Sequence, residues 1–352
     1  MSDTINYVLI FFVAFALSWL LSPLTKRLAF IVGAVDKPKA RGVNKRLLPR
    51  LGGAAIYASF VSTILIFLRR PDFDMWGIII GATIIMLVGV IDDIYTLKPR
   101  VKLLGQILAA AVLPLYGVQA NWFTNPFGGM IYLGHWSIPL TIFWVVAICN
   151  AINFIDGLDG LAAGISSIAA ITLLVVAIGQ GQVPIIILTL ILTGSTLGFL
   201  PYNINPAKMI MGDSGAMFLG YMLAAVSVQG TMKSATALAV FIPLVALGLP
   251  IMDTTIVVIK RLFNHRRFYE ADRNHLHHRL LDMGLTQKQA VAVLYSVSGF
   301  CGASALVLTE TKPISGLLLV AGLVLALFFV GRKSGLITMS MHESGSTTSA
   351  NQ

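Results

Sequence analysis

The chain has 352 residues, of which 57% are hydrophobic and only 11% charged, and its mean hydropathy is +0.84. Soluble domains carry about 25% charged residues, so a disordered chain, a collagen-like chain and an ordinary cytosolic enzyme are excluded. A polytopic membrane protein fits, and the formal net charge of +10 then matters through its placement.

A transmembrane helix needs about 20 mostly apolar residues. Eleven apolar runs meet or approach that length: 4–25, 51–68, 75–91, 101–118, 138–152, 160–178, 184–200, 213–229, 235–258, 291–308 and 313–331. Gly and Pro shorten or break several, so ten or eleven spans are expected. The runs are continuous and do not alternate, which excludes a β-barrel. The expected fold class is therefore all-α, a polytopic transmembrane bundle occupying 1–331 as one domain. No internal repeat is visible. The Ser/Thr-rich tail 332–352 is expected to be a disordered cytoplasmic extension. Cys149 and Cys301 lie inside apolar runs and read as small core residues.

The first run is preceded by no Lys or Arg and followed by Lys26 and Arg27. It therefore reads as a span, not a cleavable signal, with its far end in the cytoplasm. Alternation then gives an external N-terminus and a cytoplasmic C-terminus. External segments hold Arg69, Arg70, Lys233 and Lys312 against Asp3, Asp72, Asp74 and Glu310, so the net +10 lies wholly on the cytoplasmic side. Such a face suits anionic lipid or phosphorylated substrates, and it equally serves as a plain topology signal.

Seven of the cytoplasmic acids lie beside or within apolar runs: Asp36, Asp92, Asp93, Asp156, Asp159, Asp213 and Asp253. Carboxylates near a bilayer are costly and mark function. Five polar islands carry them or flank them. The first, 35–53, has six basic residues between 37 and 50, including Lys45 and Arg50, ahead of Gly52-Gly53; phosphate binding and positive-inside anchoring both explain it. The second is Asp92-Asp93 with Lys98, Arg100 and Lys102 behind it. Adjacent residues face different ways on a helix, so one Asp can face a reaction centre and the other a loop or metal. A carboxylate at a helix C-terminus opposes the macrodipole, which argues against capping.

The third island, Asn150-Ala-Ile-Asn-Phe-Ile-Asp-Gly-Leu-Asp-Gly160, places Asn150, Asn153, Asp156 and Asp159 three apart between two spans. Amide and carboxylate oxygens suit a hard cation such as Mg²⁺. The fourth, Pro201-Tyr-Asn-Ile-Asn-Pro through Gly212-Asp-Ser-Gly215, opens a helix. Asp213 and Ser214 either cap it or bring a metal and a phosphate to its N-terminus. The fifth, 259–290, includes Asp272-Arg-Asn-His-Leu-His-His-Arg279. His275, His277, His278 and Arg279 suit a diphosphate. A zinc site would lack Cys partners, and a solvated basic helix is the structural alternative.

From about Asp36 to Leu285 these five motifs, in this order, resemble the polyprenyl-phosphate N-acetylhexosamine-1-phosphate transferase family of glycosyltransferase 4 type. The His-Leu-His-His pattern is similar to its WecA/TagO branch. The MraY branch, which transfers phospho-MurNAc-pentapeptide, usually carries three consecutive His, which Leu276 interrupts here. The resemblance implies transfer of GlcNAc-1-phosphate from UDP-GlcNAc to undecaprenyl phosphate, releasing UMP. This is the first membrane step of teichoic acid or other surface glycan synthesis. It implies Mg²⁺, with Mn²⁺ as a substitute, and a multi-pass protein of the bacterial plasma membrane with its site on the cytoplasmic face. Carried over residue by residue, Asp213 and Asn153 match the metal ligands, and Asp92 and Asp93 the catalytic pair with Asp213. Asn150, Asp156 and Asp159 match positions near the nucleotide sugar. His275, His277, His278 and Arg279 match the diphosphate or sugar loop, Lys45 and Lys102 the lipid-phosphate and nucleotide side, and Arg50 a variable position. A lipid bilayer and no nucleic acid are the expected surroundings, and a homodimer is compatible.

Two further expectations follow. Pro243 and Pro250 should break the run 235–258 and open the site to lipid. A secondary transporter, the competing class, would place its acids near the midplane between repeats.

Overall fold

The structure is a computed structural model that describes residues 2–36, 47–68, 72–124, 130–232, 241–263 and 275–333. Each apolar run carries a helix. In order these are α1 (Ser2–Val32), α2 (Gly52–Phe67), α3 (Phe73–Tyr95), α4 (Pro99–Leu115), α5 (Ser137–Ile155), α6 (Leu161–Gly179), α7 (Val183–Asn203) and α8 (Gly212–Met232). The ninth run is divided into α9 (Phe241–Ala246) and α10 (Gly248–Phe263). A short α11 (Leu276–Asp282) precedes α12 (Gln287–Glu310) and α13 (Pro313–Lys333). Antiparallel ribbons join β1 (Val35–Asp36) to β2 (Leu48–Pro49) and β3 (Trp122–Thr124) to β4 (Met130–Tyr132). This is an all-α polytopic membrane bundle. Among the described residues α1, α3, α5, α6, α7 and α12 are long and apolar enough to cross a bilayer.

Several boundaries differ from the expected ones for local reasons. Helix α1 continues past residue 25 to Val32 although Pro23 lies inside it. Proline removes the hydrogen bond to the carbonyl four residues back. That carbonyl, Trp19 O, accepts instead from the Tyr202 hydroxyl at 3.2 Å, so α7 supplies what Pro23 cannot. Helix α12 starts before residue 291 because Thr286 and Gln289 form a reciprocal capping box. Helix α13 runs through Lys333, two residues into the expected tail; residues 334–352 lie outside those described.

Helix α8 is the axis of the bundle. From Ala216 to Val228 its apolar side chains are buried on every side, as expected of a helix apolar all round. It packs against α5, α3, α2 and α6. In lipid, helices associate through close backbone contact at small residues, and Gly220 lies directly on Ile148 and Cys149 of α5. Gly53 of α2 meets the backbone of Gly215, so the first turns of α2 and α8 touch where no side chain would fit. Helix α1 packs along α7 and α2 at the edge.

The ninth run is interrupted between α9 and α10, but Pro243 lies within α9, and Ala246, Leu247 and Leu249 at the break are buried in the bundle, so the expected opening to lipid is not found there. Pro250 has no N–H for Ala246 O, and the helix is interrupted at Leu247, although Leu247 N still bonds Pro243 O and Ile251 N bonds Leu247 O.

Candidate active site

The end of α3, the starts of α2, α4 and α8, and the end of α5 meet at one end of the bundle. The loop ahead of α2 is clamped on both sides: Arg50 N donates to Ala34 O (2.9 Å), Ile210 N to Pro49 O (2.8 Å) and Gly53 N to Met211 O (2.8 Å). This fixes Arg50 beside the first turn of α8. Its guanidinium lies 3.6 Å from Asp93 Oδ1 and 3.7 Å from Asp213 Oδ1. Burial alone would lower the Arg50 pKa, but Asp93 and Asp213, with Asp36 and Asp156, reverse that and hold it above its ordinary value.

The adjacent acids diverge, as neighbours on a helix must. Asp93 Oδ1 accepts from Asp213 N (2.8 Å) and Oδ2 from Ser214 N (3.0 Å). Its side chain is wholly inaccessible to solvent. Asp93 is thus an N-cap of α8 supplied by another helix. Capping, which the macrodipole of α3 argued against, is what this residue does, because the dipole it meets is that of α8. The expected local caps, Asp213 and Ser214, instead donate their backbone N–H groups to Asp93. Asp92 instead ties the α3–α4 turn through Oδ1, which accepts from Leu97 N (2.6 Å), and turns Oδ2 to Lys102 Nζ at 2.9 Å.

Lys102, one turn into α4, sits at the centre of the cluster. Besides Asp92, its ammonium donates to Asp213 Oδ2 at 2.9 Å. With its amide oriented by this network, Asn153 accepts from Lys102 Nζ at 2.9 Å and donates to Asp213 Oδ1 at 3.3 Å. Asp92, Asn153 and Asp213 therefore turn three oxygens to one point. Two carboxylates and an amide oxygen are the donor set a hard divalent ion takes, so these residues fit Mg²⁺. Among the described residues no three His, Cys, Asp or Glu group into a metal site; the amide of Asn153 completes this set.

The other expected residues divide. Asp156 follows α5 and is half-buried, and its carboxyl has no hydrogen bond among the described residues. Burial and then Asp213, against Arg50 and with Asp93 and Asp159, push its pKa up to about 8. Asp159 is turned to the α7–α8 loop, where Oδ2 accepts from Asn205 Nδ2 (2.9 Å) and Ala207 N (3.1 Å). Asn150 lies one turn inside the bundle in a reciprocal amide pair with Gln106, at 2.8 and 3.3 Å. Lys45 falls outside the described residues.

Helix α11 packs beside this centre. The His277 ring fills the space over Gly157, next to Asp156. Buried, with Nε2 unpartnered among the described residues, it is pushed down to about 3 by desolvation and His278, with Asp253 opposing and His275 adding. His278 and Arg279 are half-buried on the same helix, and the His277 and His278 rings lie 4.3 Å apart. His275 is oriented by a residue given no role above. Asp253 of α10 accepts from His275 Nδ1 and from Leu276 N, both at 2.8 Å. Only its place among the seven acids pointed to it. Asn203 and Asn205 were likewise visible only as members of the Tyr-Asn-Ile-Asn-Pro island. Asn203 Oδ1 accepts from Gly160 N at 3.1 Å, and the Tyr295 hydroxyl donates to Gly160 O at 2.6 Å. These bonds hold the Asp-Gly turn.

A multi-pass helical bundle with an acidic, lysine-centred cluster at one end defines a membrane enzyme class, and comparison with known proteins identifies it. The sequence model of glycosyl transferase family 4 matches residues 75–231. The chain is 39% identical over 334 residues to the probable undecaprenyl-phosphate N-acetylglucosaminyl 1-phosphate transferase of Bacillus subtilis (strain 168), covering 95% of this chain and 93% of that protein. It is 35% identical to the decaprenyl-phosphate N-acetylglucosaminephosphotransferase of Mycolicibacterium smegmatis, covering 89% and 84%. With the undecaprenyl-phosphate alpha-N-acetylglucosaminyl 1-phosphate transferase of Escherichia coli (strain K12) it shares 25% identity, covering 76% and 75%. The chain belongs to the polyprenyl-phosphate N-acetylglucosamine-1-phosphate transferase family.

Proposed function

We propose that the protein transfers GlcNAc-1-phosphate from UDP-GlcNAc to undecaprenyl phosphate, giving undecaprenyl-diphospho-GlcNAc and UMP. The reaction takes place at the cytoplasmic face of the bacterial plasma membrane. It begins lipid-linked assembly of teichoic acid or another surface glycan. The observation that carries this reading is the convergence of Asp92, Asn153 and Asp213 on one point, with Lys102 and Arg50 beside them. Gathering of the acids at one end of the bundle also favours an enzyme over a transporter, whose site would lie near the midplane.

The nucleophile is an oxygen of the lipid phosphate monoester. Its second pKa is about 6, so it is largely dianionic at neutral pH. It attacks the β-phosphorus of UDP-GlcNAc, and the bond to the α-phosphate oxygen breaks with UMP leaving. No covalent enzyme intermediate is needed. A phospho-aspartyl enzyme formed with UDP-GlcNAc alone would overturn direct attack. The difficulty is the approach of two anions. Asp213, Asn153 and Asp92 would hold Mg²⁺ (or Mn²⁺), which when bound supplies charge neutralisation for the diphosphate and the departing UMP. Lys102 and Arg50 supply positive charge from the protein for the phosphates. Of the acid pair, Asp92 is the one that faces the reaction centre, its Oδ2 turned into the cluster around Lys102, since both Asp93 oxygens are committed to the α8 backbone.

The test uses purified protein, Mg²⁺ and undecaprenyl phosphate with either UDP-GlcNAc or UDP-MurNAc-pentapeptide, following UMP. Release with UDP-GlcNAc alone is expected. Release with the pentapeptide donor only would assign the MraY-type reaction, and none with either would remove the transferase reading.

A further inference from the structure

Lys102 Nζ is 2.9 Å from Asp92 Oδ2, 2.9 Å from Asp213 Oδ2 and 2.9 Å from the Asn153 amide oxygen. An ammonium has three N–H donors, and all three are used. These oxygens are also the ones that the proposed function gives to the divalent ion, so the inference rests on that reading. A Mg²⁺ ion binds oxygen at about 2.0–2.1 Å. Three oxygens gathered around an ammonium at 2.9 Å cannot also close on an ion at the same point.

We infer that Lys102 is an internal counter-ion for the metal site: its ammonium and the divalent cation compete for one position, and metal binding expels Lys102 from the cluster. The construction of the site supports an exchange over simple coexistence. Lys102 is on α4, whereas Asn153 and Asp213 are on α5 and α8. The oxygens are fixed by other bonds: Asp92 by Leu97 N, and the start of the Asp213 side chain by the Asp93 cap. The lysine stem is four methylenes long and its side chain is 18% exposed, so it is the member able to leave. Arg50 approaches Asp213 only at 3.7 Å, and on its other oxygen. It contributes field without filling the coordination point. The lysine thus keeps a costly group of buried acids compensated and confines tight metal binding to conditions in which its ammonium has another anion to meet, such as a substrate phosphate.

The experiment measures Mn²⁺ binding by electron paramagnetic resonance, with Mg²⁺ as competitor and no substrate. The full chain is used in detergent micelles as wild type, Lys102→Met, Lys102→Gln and Asp213→Asn. Removing a cation at contact distance should tighten Mn²⁺ binding about tenfold or more in Lys102→Met and Lys102→Gln. Equal or weaker affinity in both overturns the inference. An Asp213-dependent Mn²⁺ site unaffected by Lys102 would leave the metal assignment standing and sink the exchange alone. No Asp213-dependent site at all would sink both. A measurement on wild type needs no variant. Mg²⁺ should raise labelling of Lys102 by an amine-reactive reagent, read by peptide mass spectrometry. Unchanged or reduced labelling overturns the exchange even if the affinities shift, since a lysine acting only through its field would stay in place.

Discussion

Asp93 and Asp213 stand 120 positions apart, yet the Asp93 carboxylate accepts the backbone N–H of Asp213 at 2.8 Å. The acid that caps α8 thereby sets where the Asp213 side chain begins. Its neighbour Asp92 is left facing Lys102 at 2.9 Å. The adjacent carboxylates thus divide into one that builds the site and one that faces into it.

This division is testable by variants. Asp93→Ala leaves two N–H groups of a buried helix end without an acceptor. Loss of a cap costs about 1–2 kcal/mol, so the melting temperature should fall by several degrees and Mn²⁺ affinity should weaken with it. Asp93→Asn keeps one acceptor oxygen and should fall between. Asp92→Asn should lose less stability but about 100-fold or more in UMP release, the usual loss when one group of a preorganised electrostatic site is removed. The reverse pattern, with Asp92→Asn unfolding and Asp93→Ala stable but inactive, would exchange the two roles.

Asp213 has a carboxylate in contact with Lys102 and another oxygen near Arg50 and Asn153. Asp213→Asn keeps the shape and removes the charge. Turnover should be abolished, and any residual rate should respond more weakly to Mg²⁺ in a UMP-release titration. Activity near wild type would refute the metal assignment.

The architecture was legible in the sequence because hydropathy marks where a helix leaves lipid, and the polar islands sit at those ends. That placed Asp92, Asp93, Asn153, Asp156 and Asp213 in connections able to converge. Which oxygen meets which partner was not legible. The direction of Asp93 depends on α8, and that of Asp159 on Asn205, 46 positions away. Asn150 looked equivalent to Asn153 by spacing, but one turn deeper on α5 it meets Gln106, an uncharged residue inside an apolar run that no local pattern singles out. Asp253 was visible as a costly acid, yet its task of holding His275 exists only once α10 lies against α11.

Asp156 gives a pH signature. Its folded pKa of about 8 lies above the ordinary 3.8, with burial the first cause. A carboxyl raised in this way favours the folded state most fully below the unfolded pKa, and that contribution is lost as pH rises through the folded value. Between about pH 4 and pH 8 wild type therefore bears a growing cost that Asp156→Asn does not. In EDTA, the two melting temperatures should agree near pH 4, and the variant should melt a few degrees higher at pH 8 to 9. A difference constant across pH would show that Asp156 is not desolvated in this way.

Gly157 and His277 should behave as a coupled pair. A Cβ at 157 would overlap the His277 ring at Nε2, and neither neighbour can yield freely: the ring is buried and the Asp-Gly turn is held through Gly160. Gly157→Ala should push α11 away from Asp156, lowering the melting temperature and UMP release together. Overpacking of this kind costs about 1–3 kcal/mol. His277→Ala alone leaves a void and should cost less activity, because a ring whose pKa is about 3 is uncharged at neutral pH and offers no cation to the diphosphate. Combining the two removes the overlap, so the double variant should be more stable than Gly157→Ala, with a coupling of about 1 kcal/mol or more for residues in contact. Strict additivity would mean that the ring and the turn do not press on each other. If His277→Ala alone lost activity as completely as Asp213→Asn while keeping its melting temperature, the ring would be a substrate ligand and not a packing wedge.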